Sequence, residues 1–222
     1  MKYRLQREIE KLKKSILTLA ALVEERLHVA IRSINQREKN IALEVINGDQ
    51  EIDEMEVELE EECLKLLALH QPVAIDLRFI IAVLKINNDL ERIGDLVVNI
   101  CERSSYIVEK EEVPIPFDFN AMSEKVKTML KISLDSLVNM DSSLAYKVRE
   151  MDDEIDDINR HMFNLVEKGI IESPKHISIY FNYLSVSRHL ERIGDLATNI
   201  AEDVIYMVEG KIVRHAPEKL NK

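Results

Sequence analysis

The chain has 222 residues, with 30 basic and 41 acidic side chains and a formal net charge of −11. Its 46% hydrophobic content supports a sizeable core, while only 5 Gly and 5 Pro leave little for the turns of an all-β fold. The acidic balance argues against nucleic-acid binding, which needs a basic footprint for the phosphates.

The N-terminal segment MKYRLQREIEKLKK lacks the apolar stretch of a signal peptide. The longest apolar run, about eight residues at 16–23, falls short of the roughly 20 that a spanning helix needs. A soluble, cytoplasmic protein without membrane insertion is expected. Apolar residues then recur at helical spacing, beginning with Ile9, Leu12, Ile16, Leu19, Val23 and Leu27. Breaks at Asn35–Asn40, Pro72, Pro114 with Pro116, Asn139–Ser143, Pro174 and Pro217 divide the pattern. The predicted helices cover residues 3–35, 39–69, 73–110, 118–140, 143–170 and 175–210. No alternating run long enough for a strand remains.

The chain repeats itself. Leu90–Leu96 reads LERIGDL and Leu190–Leu196 reads LERIGDL again, each continuing to Asn-Ile at Asn99–Ile100 and Asn199–Ile200. Upstream, GDQEIDEME around Asp53 matches MDDEIDDIN around Asp156. Two copies of a three-helix unit follow, residues 1–112 and 113–222, joined by the linker EEVPIPFDF at 111–119. The expected fold is all-α: two pseudo-symmetric antiparallel three-helix bundles, since short loops make consecutive helices neighbours.

On a helical wheel advancing about 100° per residue, Glu91, Asp95, Asn88, Asn99 and Glu102 share one stripe. Ile86, Leu90, Ile93, Val97, Ile100 and Ile107 lie opposite, as the core stripe. The second copy repeats both: Glu191, Asp195, Asn199 and Glu202 against Val186, Leu190, Ile193, Ala197 and Ile200. Arg188 stands where the first copy has Asn88, so the two faces are not equivalent. Carboxylates at i and i+4 repel, destabilising an isolated helix by a few tenths of a kcal/mol, and a bound cation would remove that repulsion. Oxygen-only donors suit Mg²⁺, Mn²⁺ or iron. Asp49 with Asp53, and Asp152 with Asp156, supply matching pairs on the preceding helix. Whether they meet the later pairs depends on helix rotation, because Asp49 and Asp53 lie only about 90° from the stripe Ile41, Val45, Ile52, Met55 and Leu59.

The plainer reading is a solvated acidic face, and Glu51–Glu62 is acidic enough to be one. Repetition of ERIGD in the same order favours a site. Gly94 and Gly194 sit mid-helix, where Gly is about 1 kcal/mol worse than Ala. Either tight helix packing or the approach of a ligand explains them. Glu25-x-x-His28 is the only Glu-x-x-His, whereas a ferritin-like di-iron bundle needs two. His28, His161 and His189 read as structural, and Cys63 and Cys101 as buried small apolar groups. No phosphate loop or Ser-His-Asp pattern is present.

With QPVAIDLRFI at 71–80, the doubled LERIGDLxxNI and the aspartates before each copy, the chain resembles the bacterial PhoU proteins along essentially its whole length. These are non-enzymatic regulators attached to the phosphate-specific ABC transporter. The resemblance implies metal clusters on the second and third helix of each bundle, held by Asp49, Asp53, Glu91 and Asp95, and by Asp152, Asp156, Glu191 and Asp195. Asn99, Glu102, Asn199 and Glu202 are additional candidates. It also implies contact with the transporter's ATPase and with the phosphate-sensing histidine kinase, so that phosphate uptake and the starvation response are dampened, and a homodimer. The second copy has ESPKHISIYFNYL where the first has QPVAIDLRFI, so a role of Arg78 does not carry over. Two other readings stay open: a carboxylate-bridged metal-storage or di-metal enzyme, and a metal-free scaffold for a basic partner.

Overall fold

A computed structural model of the chain describes residues 2–113 and 119–213, and the breaks expected at Pro114, Pro116 and Pro217 lie outside these. The expected boundary between residues 112 and 113 falls beside the same undescribed segment. The described residues are helical and contain no strand: α1 (Lys2–Gln36), α2 (Lys39–Asn47), α3 (Gln50–His70), α4 (Ala74–Val108), α5 (Phe119–Asn139), α6 (Ser142–Glu172) and α7 (Ile177–Glu209). A single 3₁₀ turn, Pro174–His176, precedes α7. Every residue of the predicted α1 stripe is buried, from Ile9 to Leu27, as are all those of the predicted core stripes on α4 and α7.

One element departs from expectation. The helix predicted over 39–69 is interrupted at Gly48–Asp49, giving α2 and α3 as two pieces of one arm. Gly48 is packed against the guanidinium of Arg26, whose Nη2 lies 2.7 Å from where a Cβ would sit. Arg26 also pairs with Glu51 at 3.1 Å. The interruption makes Asp49 the first residue outside α3, with its carbonyl accepting from Ile52 N at 2.8 Å. Asp49 and Asp53 therefore stand at a helix N-terminus, whose partial positive charge favours carboxylates. Asp152 and Asp156 lie inside the unbroken α6 and lack that help.

The turns are chemically explicit. Arg37 takes φ 53° between α1 and α2, and its Nη2 donates to the carbonyls of Lys110 at 2.7 Å and Val108 at 3.3 Å. A cation thereby satisfies carbonyls that the end of α4 leaves free. Asp141 caps α6 by accepting from Ser143 N at 2.8 Å.

α1, α2–α3 and α4 pack as one bundle, α5, α6 and α7 as the other, and the most extensive contact of all joins α4 to α7. These two helices run antiparallel: Lys85 Nζ, early in α4, meets Asp203 Oδ1, late in α7, at 3.0 Å. From Leu90 to Ile100 and from Leu190 to Ile200 the burial pattern is identical position by position. Two like helices crossing about a pseudo-twofold axis give this result, each burying one face in its own bundle and a second at the seam. The core is consequently continuous through both halves.

Gly94 resolves in favour of packing, whereas the packing at Gly194 does not require glycine. A Cβ on Gly94 would meet Ile52 Cδ1 at 3.1 Å and Cγ2 at 3.3 Å, whereas at Gly194 the nearest atom, Ile155 Cγ2, is 3.6 Å away. Ile52 is 2% exposed and β-branched, so it yields little. The substitution Gly194→Ala is expected to raise stability by up to about 1 kcal/mol through helix propensity. Gly94→Ala, which overpacks the α3–α4 contact, is expected to lower it by about 1 kcal/mol. Urea unfolding of the two variants checks both signs.

Candidate metal centre

The third helix of each bundle turns its apolar face inward and its oxygen-bearing stripe toward the edge of the second arm. Asn88, Asp95 and Glu102 are exposed, and Glu91 and Asn99 half-buried. Across from them α3 presents Asp49 and Asp53, with Asp49 Oδ1 only 3.8 Å from the Cβ position of Gly94. The helix rotation that the sequence left open thus brings both pairs together. Burial raises the pKa of Asp49, and Asp53 and Asp95 raise it further against the opposing Arg26. Burial likewise raises Glu91, followed by Asp95, Glu56 and Asp53. The four predicted carboxylates are thus linked in a chain of couplings, Asp49 to Asp53 and Asp95, and Glu91 to Asp95 and Asp53.

The second bundle repeats the arrangement with a stronger effect. Asp195 is raised to about 6 by burial, then by Glu191, Asp152 and Asp156, with Arg192 opposing. Burial also raises Glu191, with Asp156 and Asp152 adding to it. Asp152 is raised by burial although it accepts a hydrogen bond from Thr198 Oγ1 at 3.1 Å.

As a donor set, four carboxylates per half on adjacent helices fit a hard or borderline cation. Among the described residues no three His, Cys, Asp or Glu side chains already stand in ligating geometry, so a cation would have to draw them inward. The additional candidates divide. Asn99 Nδ2 donates to the carbonyl of Asp95 at 2.8 Å, and Asn99 and Asn199 line a groove of about 350 Å³ at the α4–α7 seam. Glu202 is paired with Arg149 at 3.3 Å, and Glu102 is exposed.

Glu56 joins the first cluster without having been singled out. Burial raises its pKa, with Glu60 and Asp53 adding to it. Its place on α3, three residues beyond Asp53, was the available signal. Asn159 holds the matching position in the second half and accepts from Ser187 Oγ at 2.8 Å. Cys63 and Cys101 are buried, with thiols pushed up to about 12, which suits packing rather than nucleophilic chemistry. His161, placed among apolar residues by sequence, is exposed on α6.

The molecule is therefore a duplicated three-helix protein with one carboxylate cluster on each half. The model of the PhoU domain matches residues 16–104 and again 119–204. The chain belongs to the PhoU family. It is 39% identical over 212 residues to a phosphate-specific transport system accessory protein PhoU homolog of Aquifex aeolicus, covering 96% of each chain. To the homolog of Pseudomonas putida it is 35% identical, covering 94% of this chain and 82% of that one. The crystal structure of PhoU from Pseudomonas aeruginosa superposes with a TM-score of 0.89 at 33% identity, covering 93% of this chain and 99% of that one. No helix of the described residues is long and apolar enough to cross a membrane.

A pH test follows from Asp195. The folded chain keeps a proton there up to about pH 6, whereas the unfolded chain loses it near pH 4, so metal-free stability falls as pH rises through this window. Asp195→Asn is expected to flatten that fall and to stabilise the metal-free chain at pH 7 by on the order of 1 kcal/mol, water screening having reduced the full value at this half-open site. Thermal unfolding from pH 4 to 8 in a chelator reads it.

Proposed function

We propose that this protein is a non-enzymatic regulator of phosphate uptake and of the phosphate-starvation response, acting by contact and carrying metal at its two carboxylate clusters. The observation that carries the metal reading is the coupling of four carboxylates on each half, in duplicate. Asp49, Asp53, Glu91 and Asp95 would hold the ion on the first half, with Glu56 beside them. Asp152, Asp156, Glu191 and Asp195 would hold it on the second. Iron, Mn or Mg, by donor chemistry, would supply charge neutralisation when held there, easing the repulsion among the carboxylates and making the local field less negative.

The regulatory reading rests on relatives named phosphate-specific transport system accessory proteins. The partners that such a role calls for are the ATPase of a phosphate ABC transporter and a phosphate-sensing histidine kinase, met at the cytoplasmic face. With a net charge of −11, this surface favours basic partner faces. Charge complementarity raises association rate and specificity more than affinity. Metal occupancy would alter part of that surface, and so bias which partner is bound.

Two measurements test the reading. Adding metal to the chelator-treated chain is expected to stabilise it by RT ln(1 + [L]/Kd), about 2.7 kcal/mol at a hundredfold excess over Kd. The double change Glu91→Gln with Asp95→Asn is expected to remove the first-half share of that gain and leave helical content unchanged. In cells, deletion of the gene is expected to derepress phosphate uptake, and a chain with all eight carboxylates neutralised to fail in restoring control. A deletion strain with unchanged uptake and starvation response would contradict the regulatory role. A metal-storage role predicts that same unchanged phenotype, so this arm separates the two.

A further inference from the structure

One end of the molecule is built unlike the rest of its surface. The turn from α3 to α4 carries Leu69, Val73, Ile75 and Leu77, which are 74%, 74%, 59% and 38% exposed. Within residues 69–77 only Pro72 is buried. The backbone holds the apolar side chains out: Gln71 at φ 44° and Ala74 at φ 50° are left-handed on either side of Pro72 and Val73. Residues other than glycine adopt that region at a cost, which function or packing has to offset. Grooves run between α1 and α3, at the α4–α7 seam and between α6 and α7, and other residues line them. The turn is a protrusion, shaped to enter something rather than to receive it.

The charges around it run against those of the whole chain. Gln6 Nε2 donates to Asp76 Oδ1 at 3.3 Å, which sets the first turns of α1 beside the protrusion. Arg78 lies 3.7 Å from the Cβ position of Gly210, which brings the end of α7 to the same place. Residues 4–7, 66–78 and 207–212 thus meet at this end. They carry the bases Arg4, Arg7, Arg78 and Lys211 with His70, against only two acids, Asp76 and Glu209. Glu209 is already paired with Lys211 at 3.1 Å, and Arg4 and Arg7 are exposed on α1. On a chain of net charge −11, a positive, apolar end is out of character with the acidic surface elsewhere.

We propose that this end docks on an anionic lipid bilayer. Leu69, Val73 and Ile75 enter the interfacial layer, and Arg4 and Arg7 reach the lipid phosphates. Apolar side chains bordered by long cations suit that layer, because the stems lie in its apolar part while the charged heads stay with the headgroups. A folded partner would need a cavity matched to the turn, whereas a fluid bilayer accepts a protrusion of any outline. Net charge makes the approach directional: an anionic surface repels the acidic remainder and attracts this end within the ~8 Å Debye length. The contact is peripheral, since no helix of the described residues is long and apolar enough to cross a membrane. Glu91 lies about 22 Å further along α4 than Asp76, so the carboxylate clusters stay clear of the lipid. The proposal needs neither metal at those clusters nor the partners named above.

The full chain is floated with vesicles of phosphatidylcholine and phosphatidylglycerol at about 3:1, and separately with phosphatidylcholine alone. Chelator is present throughout, so that no metal bridges carboxylates to lipid phosphate. Flotation with the anionic vesicles at low salt is expected, at least about fivefold weaker with neutral vesicles or at high salt. Val73→Gln with Ile75→Gln is expected to weaken partitioning about tenfold. Arg4→Gln with Arg7→Gln is expected to weaken it about fivefold for each arginine. All four side chains are exposed, so helical content by circular dichroism stays unchanged. Phe163→Gln, at a 59% exposed residue toward the opposite end of the molecule, changes nothing. Absence of flotation with the anionic vesicles, equal binding to neutral ones, or binding that survives both double changes overturns the proposal. Self-association that is lost in Val73→Gln with Ile75→Gln, with vesicles ignored, overturns it too and assigns the turn to a second copy.

Discussion

The antiparallel contact of α4 with α7 is the constraint on which the rest of the molecule depends. Each of these helices buries sixteen residues, far more than one face of an ordinary surface helix provides. One side fills the core of its own bundle and the next meets its copy across the pseudo-twofold axis. Only the narrow stripe through Glu91, Asp95 and Glu102, or through Glu191 and Asp195, remains for chemistry. The carboxylates stand on the most firmly held helices of the fold, and the flanking arms α2–α3 and α6 bring the second half of each donor set. Small errors of helix rotation are thereby suppressed, because rotating α4 would expose Ile93 or Val97, both fully buried.

That arrangement explains why the two halves have similar clusters and yet different chemistry. The LERIGDL segment is fixed by packing on both sides, so its burial is the same in both copies. Beyond it the copies diverge where the seam ends. Lys85 with Asp203 closes one end as an ion pair, and Ser185 with Arg103 stands at the equivalent positions of the other. The clusters differ as well: Asp49 and Asp53 gain a helix N-terminus from the break at Gly48, whereas Asp195 on the second half is raised to about 6. A cation would relieve more repulsion at the second cluster, and the first starts from a more favourable field.

Much of this was legible in the sequence, and the reasons are physical. Period 3.6 fixes which side of a long amphipathic helix is buried, so the stripes of α1, α4 and α7 could be read directly. The doubled ERIGD singled out the acidic pairs. Periodicity says nothing about how one helix is rotated against its neighbour, which left the meeting of Asp49 with Asp95 open. The Gly48 break was signalled by Gly-Asp after Asn47, but the acidic pattern around it read as one helix. Glu56 lies on the flank of its helix and joins the cluster only through the α3–α4 crossing. The seam was hidden for a similar reason: Arg92 and Arg192 repeat within the motif, yet nothing in a wheel reveals that the two copies face each other. Whether Gly94 serves packing or a ligand needed the 3.1 Å approach of Ile52 to decide.

Whether the duplicated carboxylate clusters hold metal is a question of composition. Elemental analysis of the chain purified without added metal addresses it most directly, run beside a variant carrying Glu91→Gln, Asp95→Asn, Glu191→Gln and Asp195→Asn. The parent is expected to carry metal in at least stoichiometric amount, and the helical, folded variant to have lost it. Metal at trace level in the parent, with none taken up on exposure to iron, Mn or Mg, would contradict it and leave the acidic stripes as a solvated surface.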